Sequence, residues 1–480
     1  MKPITGSSAY QRAYVESLEA RQLLSTISVV NLLDSGPGSL REAIAAANST
    51  PGADLIRFAN SARDGTVALT TGQLSITDEL SIDGPGARRL AVSGNDASRV
   101  LQIGIGVAVS IDGLTVTRGR AVGQGGGILN AGILTLSDSV VSDNQVVGLP
   151  GATLGTVVDA FGGGIFNTGS LTVRRTSFDH NRSIGADGTP TSIGSSALGG
   201  AIMSLGTAAD VSHSTFLDNQ AIGGAAGNGA SRAGIGGAVQ NAAGTFTVSH
   251  SAFRENQAVG GLGSNIPGGF GAGSGGAIGN VARGADANLL VRHCTLTNNR
   301  AVGGDDGTGI LAQHGRGGAI ANFVFGGLVP PVTVAARASI DHSTLLGNRA
   351  VGGIGLTSGN GQGGGLANLN GGVLTMSNSL ISLNRAIGGA GDGGIGGDGQ
   401  GGGIFNGGAI PIGPSILTLQ RSLIALNQAD GGASVGGSAG SGVGGGLYLS
   451  PGGVASADSR TFIFANDAST SDDNVFGILG

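Results

Sequence analysis

The chain has 480 residues, among them 97 glycines and no tryptophan, with 4% aromatic and 11% charged residues and a formal net charge of −5. A 40% hydrophobic share excludes a disordered chain, which would be charge-rich and apolar-poor. The mild charge and the near absence of lysine after Lys2 exclude sequence-independent nucleic-acid binding and a polybasic membrane patch. No 18-residue apolar run occurs, so no transmembrane segment is expected, and the single Cys294 excludes an internal disulfide.

Residues 1–25 read as a targeting or disordered segment, although they lack the apolar stretch of an ordinary signal peptide. Residues 26–53 read as a strand followed by a short helix over Ser39–Asn48. Ser39 is its expected cap, with Glu42 at the capping-box spacing, and Leu40, Ala43, Ile44 and Ala47 form its apolar face. An open stack of strands exposes pairing edges, so this helix is expected to act as an N-terminal lid. Residues 54–480 form one β domain. Its first part, 54–122, alternates apolar and polar residues (Leu74–Ile76, Leu80–Ile82, Val100–Ile103) and reads as about three coils.

From 125 to 468 one phrase is written nine times. It opens on GGGI, GGAI, GGAV or GGGL and closes on an asparagine, at a period of roughly 36–49 residues. Aligned on Asn144, Asn181, Asn219, Asn256, Asn299, Asn348, Asn384, Asn427 and Asn466, the copies share apolar columns such as Leu171, Val173 and Phe178. Alternation, a break and renewed alternation describe two short strands meeting at a corner. The GG[GA][ILV] segment supplies a third strand. Three strands per coil, stacked in parallel over about twelve coils, give a rod of roughly 55–60 Å. The closing asparagines are expected to form a ladder, each in the left-handed backbone of a sharp corner and bonded to the next. A second ladder follows the glycine pair: Asn130, Asn167, Asn241, Asn280, Asn322, Asn368 and Asn406, with Ser204 and Leu449 as exceptions. Cys294 falls among inward serines (Ser139, Ser214, Ser251, Ser343) and is expected to be a core filler. Eight Gly-rich loops, for example 303–316 and 388–400, all leave from one corner. They are expected to be mobile and to stack along one edge. The C-terminal Asp472–Gly477 is expected to fold Val475 and Phe476 over the last coil.

The GGAI-type phrases with F-x-x-N closings resemble polymorphic outer membrane protein repeats. Gly38-Ser39-Leu40-Arg41-Glu42-Ala43-Ile44, continuing to Asn48, Gly52, Asp54 and Phe58, is similar to the CSLREAI cap of exported bacterial right-handed parallel β-helix proteins, with Gly38 in place of the cysteine. Leu18-Glu19-Ala20-Arg21-Gln22-Leu23-Leu24-Ser25 resembles the LEPR-XLL segment of exported bacterial proteins, with Ala20 where proline is usual. These resemblances imply an all-β, right-handed parallel β-helix of the pectin-lyase-like kind and an extracellular or cell-surface location. They do not imply an enzyme.

Two outward columns carry the candidate chemistry. The first precedes the asparagine ladder: Asp143, His180, Asp218 and Glu255, then Asn298. Stacked carboxylates about one coil apart suit a glycoside hydrolase pair or a calcium ion. The plainer reading is a solvated corner, where Asp and Asn are good turn residues. The second column holds His213, His250, His293 and His342, with Asp138, Arg175, Asn378, Arg421 and Arg460. Imidazoles one coil apart suit zinc, although duplication alone also repeats a residue along a rod. Gly393–Asp398 matches the start of a calcium-binding nonapeptide only once, with Gln400 where an apolar residue is required. No cofactor is expected. The function expected is a structural, adhesive or cell-surface interaction module presenting Gly-rich loops, with polysaccharide or other surface components as partners and no catalysis. The alternative is a polysaccharide lyase or glycoside hydrolase using Asp143, Asp218 and Glu255.

Overall fold

A computed structural model describes residues 25–227, 232–263, 271–306, 311–325, 334–408 and 413–480. Residues 1–24, of the segment read as targeting or disordered, and several loop tips lie outside them. The chain winds into a right-handed parallel β-helix whose sheets run along the rod: one of thirteen strands, two of twelve, one of ten and one of eight. The expected coil number, about twelve, matches the twelve-stranded sheets. No helix among the described residues is long and apolar enough to cross a membrane.

One coil shows the plan. Its long strand, Ile133–Ser137, turns into a short strand, Val140–Ser142, and then, past Asn144, into Gln145–Val147. The chain loops out, returns through Ala160–Phe161, and enters Ile165–Asn167 after the glycine pair. Five ladders therefore replace the three strands expected. The two extra ladders come from segments whose glycines hide any alternation, yet whose N–H and C=O groups pair with the equivalent segments of neighbouring coils.

Register is strict, so like meets like. Leu134 pairs with Leu171, Ile128 with Ile165 and Val141 with Phe178. Leu134, Val141, Ile165 and Phe178 have no solvent exposure. Phe178, Phe216 and Phe253 stack with ring centroids 4.8 and 4.4 Å apart. Each inward residue of this kind contributes roughly 1.5–3 kcal/mol on burial. Cys294 lies in the core, its Sγ 3.2 Å from the Arg292 carbonyl oxygen. Ser214 makes the same bond to Ser212. Burial pushes the Cys294 thiol up to about 11, so it is an unreactive filler.

The closing asparagines form a buried ladder. Asn144 Nδ2 donates to Asn181 Oδ1 at 3.0 Å, and the pattern repeats through Asn219, Asn256, Asn299, Asn348, Asn384, Asn427 and Asn466 at 2.9–3.0 Å. It ends on Asn474, which accepts from Asn466 at 3.1 Å. The corner itself differs from expectation. The left-handed residue is not the asparagine but the one before it: Asp143, His180, Asp218, Glu255 and Asn298 have φ of 47–57°. The asparagine is thereby freed to aim its amide along the stack. The second ladder runs from Asn241 through Asn280, Asn322 and Asn368 to Asn406 at 2.7–2.8 Å. Ser204 interrupts it, and Asn241 Oδ1 is left buried without a partner.

At the N-terminal end, Leu40–Ser49 is helical, with Leu40, Ala43, Ile44 and Ala47 buried against the first coils. Ser39 Oγ accepts the Glu42 N–H, while Glu42 reaches back to the Gly38 N–H, one residue earlier than a standard capping box. A side chain at Gly38 would meet a Val30 methyl, and its φ is +78°, so glycine stands there for steric reasons. At the other end Val475–Phe476 covers the last coil as expected, with Val475 packed against the core and Phe476 stacked on Tyr448 at 4.7 Å. The segment pairs with Leu447–Tyr448 as a further strand.

The Gly-rich loops are pinned at their bases. Gly261, Gly304, Gly353, Gly389 and Gly432 donate backbone bonds to returning segments of the coil before. A Cβ on Gly304 would run into the carbonyl oxygen of Gly261, and one on Gly389 into that of Gly353. Glycine content, read as a sign of mobility, here permits a close backbone stack. Further out, Gly355–Thr357, Gly391–Ile395 and Ser434–Val435 form a small parallel sheet.

Candidate functional site: the short-strand face

The twelve-stranded sheet that includes Val140–Ser142 presents a face three residues wide, bordered by two corners. Both corners are left-handed. The first comprises Asp138, Arg175, His213, His250, His293, His342, Asn378 and Arg421, with φ of 45–52°. The second is the column before the asparagine ladder. Asn, Asp and His are the non-glycine residues most at ease in this conformation. The backbone thus accounts for much of the composition that sequence analysis read as chemistry. Leu383 and Leu426, with φ of 57° and 60° in the second column, are unusual occupants.

The two columns are arranged differently. In the second, His180 and Asp218 approach at 3.7 Å between Nε2 and Oδ2, and Gln220 Nε2 donates to Asp218 Oδ1 at 3.3 Å. Asp143 and Glu255 are exposed members of the same column. In the first, the four imidazoles stack face to face, with centroids 5.0, 4.9 and 5.0 Å apart and interplanar angles of 4°, 21° and 28°. Ring-nitrogen lone pairs lie in the ring planes, so stacked rings do not converge them on one ion. Among the described residues no group of three or more His, Cys, Asp or Glu is placed to hold a metal. Asp398, in the nonapeptide-like segment, accepts the Ser441 N–H at 2.8 Å and serves the stack.

Sequence reasoning passed over Asp179. It points outward from the short strand, half-buried, and accepts from Ser177 Oγ at 2.9 Å. Burial raises its carboxyl above the ordinary value; the Ser177 bond and His180 pull the other way, and Asp143 adds to the rise. It sits immediately before His180, which could have flagged it, but an outward strand residue carries no repeat signal of its own.

Two open grooves lie on this face. One, of about 500 Å³, is lined by Arg88, Arg89, Asp138, Arg175, Ser177 and His213 among others. The second, of about 810 Å³, includes His293, His342, Asn378, Leu380, Arg421 and Phe462. Both border the first column. Asp143, Asp218 and Glu255 line neither. Arg175 is held by Asp138 through Nε at 2.7 Å, and Asp341 accepts from Ser377 and Asn378 and contacts His342 Nδ1 at 2.8 Å. Those partners hold the Asp341 carboxyl well below the usual range.

No protein-family model matches the chain, and no curated protein matches it. Three solved structures show distant likeness. The catalytic unit of a thermostable GH87 alpha-1,3-glucanase from Streptomyces thermodiastaticus is 11% identical, with a TM-score of 0.38 over 95% of this chain and 71% of that one. A mannuronic acid specific polysaccharide family 6 lyase from human gut microbiota is 10% identical, with a TM-score of 0.34 over 95% and 90%. PfbA, a surface adhesin of Streptococcus pneumoniae, is 9% identical, with a TM-score of 0.32 over 94% of each chain. At such scores these likenesses add nothing to the strand pairing that defines the fold, and they assign no activity.

Proposed function

We propose that this protein is an exported, rod-shaped interaction module of the cell surface or extracellular space, with polysaccharide or other surface components as its partners and no catalytic role. One observation carries the reading. The short-strand face runs along the rod, its first corner repeats histidine over four consecutive coils, and the two grooves described border that corner. A long repetitive face suits an extended partner better than a single reacting bond. The small loop sheet, with Leu356, Ile395 and Val435 exposed, forms a second edge for contact. The test is a glycan array together with pull-down of cell-wall and envelope fractions. Retention of defined glycans, without release of reducing or unsaturated ends, is the expected result.

A second reading has its own observation: Asp179, His180 and Asp218 lie together, and burial raises the Asp179 acid. That pattern suits a general acid beside a carboxylate. Incubation with alpha-glucan, alginate and pectate polymers separates the two. Depolymerisation lost in both Asp179→Asn and Asp218→Asn would replace the module reading with a hydrolase or lyase.

A further inference from the structure

We propose that His213, His250, His293 and His342 form a binding stripe for a linear anionic glycan, engaged when the imidazoles are protonated. The inference rests on the interaction-module reading and gives it a ligand class and a trigger. The four rings are exposed and stacked one coil apart, 4.9–5.0 Å between centroids. Strand pairing fixes that interval, since the residues leading into the corner, Ser212, Ser249, Arg292 and Asp341, are cross-strand partners in turn. Histidine is the side chain whose ordinary charge change falls between about pH 5 and 8. Two like charges at this interval repel one another, and nothing relieves that repulsion while the stripe is empty. An anionic group at each step relieves the repulsion. Proton uptake and glycan binding then favour each other, as linkage requires.

The surroundings give this stripe a direction. Arg175 and Arg421 extend the column beyond its two ends and stay charged at every relevant pH. On the long-strand side the nearby charges are Arg174, Asp210, Arg292 and Asp341. On the short-strand side they are Asp179 and Arg254, with His180, Asp218 and Glu255 at the far corner. Asp138 already engages Arg175, and Asp341 contacts only the terminal imidazole, His342. His250 and His293 are therefore the central steps. His213 lines the first groove and His293 and His342 the second, so open surface flanks the column at both ends. A nucleic acid is a poorer fit, because the chain is net negative with few lysines and phosphate binding depends on clustered fixed cations. A polymer bearing one carboxylate or sulfate per sugar needs only a row of single charges.

The test uses the full chain and four probes: polygalacturonate, dextran sulfate, neutral dextran and a single-stranded oligonucleotide. Affinities are measured at about pH 5 and about pH 7.5, across the histidine range. Polygalacturonate, dextran sulfate or both should bind at least about tenfold tighter at the lower pH, and which one does so assigns carboxylate or sulfate as the partner group. The double variant His250→Asn, His293→Asn should lose that gain. Its melting temperature should be unchanged, because Asn378 already occupies the same left-handed corner. As a second readout, the imidazole NMR titrations of His250 and His293 should move to higher pH when the glycan is present. Affinity independent of pH, or the same gain in the double variant, would overturn the stripe. Tighter binding of the oligonucleotide than of either glycan would also overturn it. If only neutral glycans bind, the stripe fails and the interaction module stands; if envelope fractions are not retained either, both fail.

Discussion

Asn219→Ala tests the structural logic most directly. Asn219 is fully buried in the middle of its ladder. Its Nδ2 donates to the Phe178 carbonyl oxygen and to Asn256 Oδ1, both at 2.9 Å. Its Oδ1 accepts the Asn181 N–H and the Asn181 Nδ2, both at 3.0 Å. Two neighbours keep a partner after truncation: Asn181 Nδ2 still reaches the Val141 carbonyl oxygen at 2.8 Å, and Asn256 Oδ1 still accepts the Asn219 N–H at 3.0 Å. The Asn181 N–H loses its acceptor in a buried site, which costs about 1–3 kcal/mol. The other lost bonds add roughly 0.5–1.5 kcal/mol each. A loss of about 3–5 kcal/mol is expected, read by equilibrium urea unfolding. A stack has nearest-neighbour energetics, so the transition should split near this coil rather than shift as a whole. Amide exchange at Asn181 should accelerate with it. Asp218→Asn, one residue away and partly exposed, is the control and should change stability by less than about 0.5 kcal/mol. A loss below about 1 kcal/mol in Asn219→Ala, with Asn181 exchange unchanged, would refute the ladder as a source of stability.

Two further outcomes are expected. Ser204→Asn should complete the second ladder, because Ser204 is the cross-strand partner of Asn167 and Asn241, and Asn241 Oδ1 is buried without a donor; thermal unfolding should rise by the equivalent of about 1–2 kcal/mol. Asp34 holds the N-terminal lid: its carboxylate accepts from Arg41 at 2.7 Å and from the N–H and hydroxyl groups of Thr70 and Thr71 at 2.7–3.0 Å. Burial acts to raise the Asp34 acid, but these bonds outweigh it and hold the carboxyl far below its ordinary value. A depressed folded-state pKa gives stability that is full above the unfolded value and is lost as pH falls through the folded one. Amide exchange of the Leu40–Ser49 helix should therefore accelerate below about pH 4, while Asp34→Asn should show the faster exchange already at neutral pH and little further change on acidification.

Much of the architecture was legible because a stack repeats local information. The GG[GA][ILV] opening, the inward Leu, Val and Phe columns and the closing asparagines recur once per coil, and parallel pairing in register is what such recurrence means. The capping helix was legible for the same local reason, through Ser39 and its apolar face. Candidate columns were legible as columns, since each member holds a constant offset from its asparagine. Their meaning was not. A left-handed corner constrains residue type much as a binding site does, and only φ at Asp143 or His213 separates the two.

The sequence by itself determined that one turn was copied, which residues of that turn face inward and where it closes, because these follow from spacing along the chain. The tertiary structure alone decided that the residue before each asparagine bends the corner, that Gly304 and Gly389 stack backbone on backbone, that Asp179 is half-buried, and that four imidazoles lie ring on ring. Each of those depends on contacts between residues one coil apart, up to 49 positions along the chain, and no local pattern encodes the geometry at which two coils meet.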